Sequence, residues 1–374
     1  MEPALFIYAV LTFALERPMQ WVPTVLAFLV ALLVVILTMP PLIRKMVEGG
    51  MVGRDVNKKH RPEVAELGGI AALFAFAISL SLVVGLEKLA GDITEPPYLA
   101  AIAVFFIASM IGLIDDISNV KQRVKAVVVV FASLPLLLVH FHAGPPLTAT
   151  QLIGPGTINI SENAFIALPF GQMIDLTSIP LLYWFILVPI GVTGVANAMN
   201  MSAGYNGLES GQIAIVSAGL LVVSGVRGTQ ESLLIFATLV GAAVGLFWFN
   251  RHPARMFVGD IGSLGLGAAI AAGAIIGGIE VWGLIAIAPA FYEAGATFYY
   301  GFVRKNGDRR EACHNPRIAP DGTLSPPKGA ERYTLAYLLL SRRPMKEPRL
   351  VATLLALYAL CGVAAILLSL LSLV

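Results

Sequence analysis

The stretch PPYLAAIAVFFIASMIGLIDD, residues 96–116, is an apolar run that ends in two adjacent aspartates, Asp115 and Asp116. The run from Pro96 to Ile114 has no charged residue and is long enough to cross about 30 Å of hydrocarbon as a helix. A carboxylate near the middle of a membrane helix costs about 2.5–3.5 kcal/mol on insertion scales, so such residues usually have a function. The pattern therefore predicts a membrane helix that ends in an acidic pair with a bound cation or a cationic partner.

The composition is that of an integral membrane protein. Of the 374 residues, 57% are hydrophobic and 13% are charged, and the mean hydropathy is +0.81. A soluble globular protein carries about 25% charged residues. We therefore predict an all-α polytopic membrane protein with about ten transmembrane helices and a small cytoplasmic α/β insertion before the last helix. The predicted spans are 21–43, 68–87, 98–114, 124–142, 180–199, 211–227, 231–249, 262–279, 281–303 and 350–373.

The positive charges fall on one side of this topology. Of the 25 lysines and arginines, 22 lie in the loops that follow the odd-numbered spans. The positive-inside rule makes these loops cytoplasmic and puts both termini outside the cytoplasm. The chain is compact and has no obvious retrieval signal, which favours the plasma membrane of a prokaryote over the endoplasmic reticulum. The five loops are 44–67, 115–125, 200–210, 250–261 and 304–349.

The chain reads as one integral membrane domain, 1–374, with a cytoplasmic insertion at 304–349 between the ninth and tenth spans. In this insertion we expect short strands and one amphipathic helix that lies on the membrane face. The outer loop 143–179 contains a Gly-Pro-Gly turn and is expected to form a hairpin. Cys313 and Cys361 fall in the insertion and in the last span, so we expect no disulfide.

Amide and carboxylate side chains cluster at other span ends on the same side. Asn197 and Asn200 are three residues apart, so they share one face of a helix, and the glycine-rich turn 203–207 follows them. Asp260 stands between two glycines just before a span, where it could cap the helix, although Ser263 could do so too. Oxygen ligands from Asp and Asn are those that Mg²⁺ selects. The pattern therefore indicates metal binding around Asp260.

The acidic pair has two interpretations. Asp115 and Asp116 could form a solvated helix end, paired with Arg123 or Lys125. Alternatively, they belong to a functional site, in which the Lys125 ammonium reaches a phosphate as a point charge. The repetition of polar groups at neighbouring span ends favours the functional site.

The remaining basic residues also allow a simpler explanation. Lys58 lies in a run of cations at 54–61 that is typical of a positive-inside anchor. His314 and Arg317 lie in a cation-rich loop that could attract lipid headgroups. The chain contains no Walker A lysine loop, no His-rich zinc pattern and no G-x-S-x-G elbow, so these catalytic classes are excluded.

Four motifs together resemble one enzyme family. They are GRDVNK at 53–58, GLIDDISN at 112–119 followed by Lys125, NAMNMSAGYNGLESGQ at 197–212, and FVGDIGS at 257–263. In order and in position the chain resembles the polyprenyl-phosphate N-acetylhexosamine-1-phosphate transferases. The similarity covers nearly the whole chain and is strongest to the UDP-GlcNAc–dolichyl-phosphate GlcNAc-1-phosphotransferase branch. Members of this family have ten spans with both termini outside the cytosol, which agrees with the charge distribution.

The resemblance implies roles for individual residues. Asn200 and Asp260 would hold Mg²⁺, with Mn²⁺ as a second candidate. Asp115, Asp116 and Lys125 would be catalytic, with the lysine contacting phosphate. The bacterial phospho-MurNAc-pentapeptide branch has an Asp-rich third motif, so the asparagines at the corresponding positions disfavour that substrate. The residues implied in substrate binding are Lys58, Glu66, Asn119, Asn197, Asn206, Phe257, His314 and Arg317.

Within that set the resemblance distinguishes the parts of the donor. Asn206 and Phe257 would flank the uracil, and Glu66 would lie near the nucleotide sugar. The N-acetylhexosamine would be recognised by Asn119, His314 and Arg317. The last loop, CHNPRI at 313–318, is only similar to the His-Arg-rich element of the eukaryotic branch.

The implied reaction is Mg²⁺-dependent transfer of GlcNAc-1-phosphate from UDP-GlcNAc to a polyprenyl phosphate such as dolichyl phosphate. The products are polyprenyl-diphospho-GlcNAc and UMP, the first step of lipid-linked oligosaccharide synthesis for protein N-glycosylation. Direct attack by the lipid phosphate and a covalent aspartyl intermediate both remain open. The expected partners are the two substrates and membrane lipids, without nucleic acid, and the resemblance is consistent with a homodimer.

Two other functions remain to be weighed. One keeps the reaction but uses undecaprenyl phosphate or another UDP-N-acetylhexosamine, for cell-wall polymers. The other is an ion or nucleotide-sugar transporter, because intramembrane carboxylates also mark ion paths. A transporter should show polar residues at mid-span and often inverted repeats. In this chain the polar groups lie at one face, which favours the enzyme.

Overall fold

The fold is a bundle of membrane-spanning helices. A computed structural model describes residues 18–91, 93–118, 121–137, 139, 164–227, 230–304, 312–313 and 315–372. Within these residues, eight helices are long and apolar enough to cross a membrane, or nine if a bent pair forms one span. An all-helical span is what hydrocarbon requires, because each backbone N–H and C=O must be satisfied inside the segment. The all-α polytopic prediction is therefore confirmed.

The helices follow the predicted windows closely. The long helices are α1 Pro18–Glu48, α2 Gly69–Ala90, α3 Pro96–Ser118, α5 Pro180–Met201, α6 Leu208–Arg227, α7 Gln230–Asn250, α8 Gly259–Ile276 and α12 Glu347–Leu371.

Two predicted spans differ from regular helices. The ninth consists of α9, Glu280–Ala286, and α10, Ala288–Phe298, which form a pair bent by 77°. In the fourth, 124–142, the chain forms α4, Gln122–Val128, and then a tighter 3₁₀ helix over Val129–Leu136. The end of this window lies outside the described residues.

Short strands lie outside the helices. Strand β1, Val52–Arg54, pairs antiparallel with β2, Glu63–Ala65. On the other side of the bundle, β3 Phe165–Ala167 pairs with β4 Met173–Asp175, which places a hairpin within the predicted outer loop. The predicted Gly-Pro-Gly turn of that loop lies outside the described residues.

The insertion before the last span has the predicted α/β character. A three-stranded antiparallel sheet consists of β5 Arg317–Ile318, β6 Thr323–Ser325 and β7 Met345–Lys346, with helix α11, Leu335–Arg342, between the last two strands. The insertion docks on α10, where Glu293 Oε1 accepts a hydrogen bond from Leu335 N at 2.7 Å.

Helix α8 is the centre of the bundle. Every residue from Ile261 to Ala274 is buried, and the helix packs against α2, α3, α5 and α7. Its sequence is dominated by Gly and Ala, and small residues are what allow membrane helices to approach closely. A Cβ added at Gly112 of α3 would lie 2.2 Å from the Asp260 carbonyl oxygen. Close packing of α3 on the first turn of α8 therefore requires a glycine at position 112.

Replacing Gly112 should loosen this contact. We expect Gly112→Ala to lower the free energy of unfolding by about 1–3 kcal/mol, the usual cost of overpacking a core. Gly85→Ala is the matched control, since a Cβ at Gly85 of α2 meets no atom within 4 Å. Thermal unfolding of the two purified variants in the same detergent measures the difference. Equal unfolding temperatures for both would show that the α3–α8 contact tolerates a methyl group.

Candidate functional site

Three carboxylates and one ammonium meet where α3, α4 and α8 come together. Lys125 Nζ lies 2.6 Å from Asp115 Oδ2 and forms a second ion pair with Asp260 Oδ2. The side chains of Lys125 and Asp115 are 5% and 7% exposed, whereas that of Asp260 is 28% exposed. Asp260 is therefore the member of this ion-pair group that a ligand reaches most easily. We call Asp115, Asp116, Asp260 and Lys125 the acidic cluster.

Asp116 stabilises the start of α8 from the neighbouring helix. Its Oδ1 accepts a hydrogen bond from Asp260 N at 2.9 Å, and its Oδ2 accepts one from Ile261 N at 3.0 Å. The free N–H groups and dipole of a helix N-terminus favour an anion at this position. Gly259 adopts a φ of +76° here, a conformation that favours glycine. The cap of α8 thus comes from Asp116, and the Asp260 carboxylate is left for other contacts.

Asn200 joins the acidic cluster from α5. Its Nδ2 donates to Asp260 Oδ1 at 2.7 Å and to Ser263 Oγ at 2.6 Å. Only the amide oxygen of an asparagine can ligate a metal ion, since the NH₂ group has no free electron pair to offer. To act as a ligand, Asn200 must therefore flip its side-chain amide, so that Oδ1 takes the place of Nδ2.

The acidic cluster suits a hard cation. In the part of the chain that the structure describes, no three His, Cys, Asp or Glu side chains converge on one metal position. Mg²⁺, however, is commonly held by one or two carboxylates together with water and substrate phosphates. Asp115, Asp260 and the Asn200 amide supply such oxygens. Glu209 lies near Asp260, and its Oε1 is buried without a hydrogen-bond partner among the described residues.

Two backbone segments run side by side next to this cluster. Phe257 N donates to Ala65 O at 2.8 Å, and Gly68 N donates to Phe257 O at 2.9 Å. This pairing places Glu66 and Phe257 next to the N-terminus of α8. Both residues are predicted to bind the donor. Burial, together with the nearby charge of Asp260, raises the pKa of the Glu66 carboxyl above its usual value.

Asn206 and Lys58 lie in a second polar network on the same face. Asn206 Nδ2 donates to Asp55 Oδ2 at 2.9 Å, and the Lys58 ammonium pairs with Asp55 and with Glu347. We call Asp55, Lys58, Asn206 and Glu347 the loop network, because it joins the first loop to the 203–207 turn and to α12. The substrate roles of Asn206 and Lys58 stay predictions.

The other predicted residues are distributed over the same region. Asn197 lies one turn before Asn200, and its Nδ2 donates to Thr193 O at 2.8 Å. Arg317 is exposed on β5, and two residues before it Asn315 Oδ1 accepts a hydrogen bond from Arg61 at 3.0 Å. Asn119 and His314 lie outside the described residues.

Sequence reasoning missed Asp55, Glu209 and Glu347. Asp55 and Glu209 lie inside the motifs quoted above. Their position as acidic residues within a motif could have identified them as site residues. Glu347 carries no such signal, because it follows the insertion and meets its partners only in three dimensions.

Comparison with known proteins identifies the family. The sequence profile described as glycosyl transferase family 4 matches residues 98–278, which include the whole acidic cluster and Asn200. This match assigns residues 98–278 of the chain to glycosyl transferase family 4. The protein is an integral membrane transferase of this type, which transfers a hexosamine 1-phosphate to a polyprenyl phosphate.

Individual relatives of the family 4 chain fall in more than one branch. A Saccharolobus solfataricus protein, provisionally named UDP-N-acetylglucosamine–dolichyl-phosphate N-acetylglucosaminephosphotransferase, is 29% identical over 76% of this chain and 77% of its own length. A provisionally named glycosyltransferase of Methanocaldococcus jannaschii is 25% identical over 88% of this chain and 92% of its own length. The phospho-N-acetylmuramoyl-pentapeptide-transferase of Streptococcus pyogenes is 29% identical over 67% of this chain and 71% of its own length.

Removing the ammonium of the acidic cluster should make the fold depend on a divalent ion. Breaking a buried ion pair by removing one partner costs about 3–5 kcal/mol, so we expect Lys125→Met to unfold at a lower temperature than wild type. Mn²⁺ or Mg²⁺ should then raise its unfolding temperature more than that of wild type. Thermal unfolding with and without the ion measures both effects.

Lys45→Met is the matched control, because the Lys45–Glu48 pair at 2.8 Å is solvent-exposed and such pairs contribute about 0–1 kcal/mol. If the ion shifted Lys125→Met, Lys45→Met and wild type equally, the acidic cluster would not be a cation site.

Proposed function

We propose that this family 4 transferase moves GlcNAc-1-phosphate from UDP-GlcNAc to a polyprenyl phosphate, with dolichyl phosphate as the acceptor, and depends on Mg²⁺. The products are polyprenyl-diphospho-GlcNAc and UMP, which would begin a lipid-linked oligosaccharide for protein N-glycosylation. The observation that carries the proposal is the acidic cluster, in which Asp260 is accessible and Lys125 is the neighbouring cation.

The reaction needs positioning and charge compensation more than covalent chemistry. An oxygen of the lipid phosphate attacks the β-phosphorus of UDP-GlcNAc, and the bond from that phosphorus to the bridging oxygen breaks. The electron pair of that bond leaves with UMP. Asp260 and Asn200 would hold Mg²⁺, which would neutralise the charge that develops on the diphosphate.

The residues of the chain have distinct tasks in this scheme. The ammonium of Lys125 would move from its two carboxylates to the phosphate of the attacking lipid. Asp115 would then keep that phosphate in line or accept a proton from it. Asp116, whose two oxygens accept the N–H groups of Asp260 and Ile261, would hold Asp260 in place.

The donor would lie across the two backbone segments beside α8. Phe257 and Asn206 would contact the uracil, and Glu66 would lie near the sugar. Asn119, Asn197, His314 and Arg317 would complete the sugar and diphosphate contacts. The Lys58 side chain is 23% exposed, and only this exposed part could contact a substrate.

The charge distribution supports a cytoplasmic site. The acidic cluster and the loop network lie on the face that holds 22 of the 25 lysines and arginines in the predicted topology. Cationic loops stay in the cytoplasm, where nucleotide sugars are made. The apolar spans beside the cluster would accommodate the lipid tail of the acceptor.

Turnover tests the proposal directly. Purified protein incubated with labelled UDP-GlcNAc, Mg²⁺ and polyprenyl phosphate should form lipid-linked label and release UMP. We expect Asp260→Ala and Asn200→Ala to lower kcat by at least about 10²-fold, since each removes charge stabilisation in the transition state. Asp321→Asn, in an exposed turn of the insertion, is the control and should keep wild-type turnover.

Normal Mg²⁺-dependent turnover by Asp260→Ala or Asn200→Ala would contradict the assignment of the ion to these residues. Uptake of UDP-GlcNAc into vesicles without product would contradict the enzyme itself and favour a transporter.

A second pair of substrates, those of cell-wall synthesis, is the alternative to UDP-GlcNAc and dolichyl phosphate. The chain is as similar to the S. pyogenes transferase as to the S. solfataricus relative, 29% in both cases. Asparagines at 200 and 206, in place of the aspartates of the pentapeptide branch, favour UDP-GlcNAc and dolichyl phosphate. We expect a higher kcat/KM with UDP-GlcNAc and dolichyl phosphate than with UDP-MurNAc-pentapeptide or undecaprenyl phosphate. The same assay with each substrate pair measures it, and the reverse order would support cell-wall synthesis.

A further inference from the structure

Asn206 is held by two carboxylates that come from opposite ends of the chain. Its backbone N–H donates to Glu347 Oε1 at 2.8 Å, and its side-chain Nδ2 donates to Asp55 Oδ2 at 2.9 Å. Asn206, Asp55 and Glu347 are each at most 3% exposed. Hydrogen bonds to charged acceptors are stronger than those between neutral groups, so both contacts restrain the asparagine tightly.

The two carboxylates are themselves fixed. The Lys58 ammonium lies 3.1 Å from Asp55 Oδ2 and also pairs with Glu347 Oε2, so one cation bridges them. Asn57 adds a further tie, because its N–H donates to Asp55 Oδ1 at 3.1 Å and its Nδ2 donates to Gly204 O at 2.6 Å. The loop network therefore joins three separate segments around one asparagine amide.

This arrangement decides which atom of Asn206 is available. With Nδ2 turned toward Asp55, the remaining group of the amide is the acceptor Oδ1, and no described residue donates to it. An acceptor matches the N3–H of uracil but not cytosine, whose N3 is itself an acceptor. A buried polar atom that is left unpaired by the wrong ligand gives strong discrimination.

We propose that Asp55 and Glu347 are positioning residues for nucleotide recognition. Together they lock Asn206 with Oδ1 facing the donor site, so that the enzyme selects a uracil nucleotide over a cytosine nucleotide. This inference rests on the proposed function, because it takes a uridine diphosphate sugar as the donor. Neither residue touches the nucleotide; both act through Asn206.

Binding of UMP and CMP to the full-length protein in detergent tests this role. Wild type should bind UMP at least about tenfold more tightly than CMP, the ratio expected for one hydrogen bond. Asp55→Asn gives position 55 an amide donor, which lets Asn206 reverse its amide, so the preference should fall by about tenfold. Glu347→Gln should weaken UMP binding with a smaller change in the ratio. KM for polyprenyl phosphate should stay unchanged in both.

A double-mutant cycle separates positioning from general damage. In an Asn206→Ala background, Asp55→Asn should cause no further loss of base preference, because its effect passes through Asn206. Glu63→Gln is the control, since Glu63 is an exposed carboxylate on β2 near the same loop. It should bind UMP and CMP as wild type does.

Several results would overturn the inference. One is an unchanged UMP-to-CMP ratio in Asp55→Asn; another is an additive loss in the Asp55→Asn/Asn206→Ala double variant. Glu347→Gln that fails to fold, together with wild-type base preference in Asp55→Asn, would assign the network to stability alone. Wild type that makes product but does not prefer UMP would reject only this inference, whereas absence of any product would reject the proposed function.

Discussion

The two hydrogen bonds from the first turn of α8 to the Asp116 carboxylate organise the site. They satisfy N–H groups that would otherwise lack partners at the end of a buried helix, and the negative charge suits the positive end of the helix dipole. Because the cap is supplied by α3, the side chain of Asp260 is not needed for its own helix. It points instead toward Lys125 and Asn200. The close approach that this requires depends on Gly112, where a side chain would collide with the Asp260 backbone.

Charge balance explains why such a cluster suits phosphosugar transfer. Asp115, Asp116 and Asp260 lie with Lys125 in a partly buried site, and the carboxyl groups of Glu66 and Glu209 lie nearby. An ammonium offsets part of this charge in the absence of ligand, and a divalent ion would offset more. In the proposed reaction, the same lysine would become the counter-ion of the diphosphate and the lipid phosphate. A cluster at the membrane boundary, as the topology predicts, would let a water-soluble donor and a lipid acceptor meet.

The sequence predicted the helices well because their signal is local. Long apolar windows defined eight described helices, and the proline- and polar-rich segment before the last span predicted the small sheet and helix that the structure contains. The pairing of Asp115 with Lys125 was one of two alternatives that the sequence offered, since both Arg123 and Lys125 follow the acidic pair after one short loop. Hydrophobic periodicity, however, gave no indication of the 77° bend between α9 and α10.

Contacts between distant segments were not predictable in this way. Lys58 and Glu347 are 289 positions apart, and Asn206 and Asp55 are 151 apart, so neither spacing nor patterning relates them. The capping role of Asp116 likewise depends on how α3 packs on α8. Roles implied by motif resemblance, such as those of Asn200 and Phe257, concern a metal ion and a substrate, and the packing of the chain alone does not determine them.

Direct binding of Mn²⁺ tests whether Asp260, held in place by Asp116, is the main ligand of a catalytic cation. Electron paramagnetic resonance of the purified, substrate-free protein reports bound Mn²⁺ without any need for turnover. We expect wild type to bind the ion, Asp260→Asn to lose it, and Asp116→Asn to bind it more weakly. Equal Mn²⁺ binding by wild type and Asp260→Asn would show that Asp260 does not hold the cation.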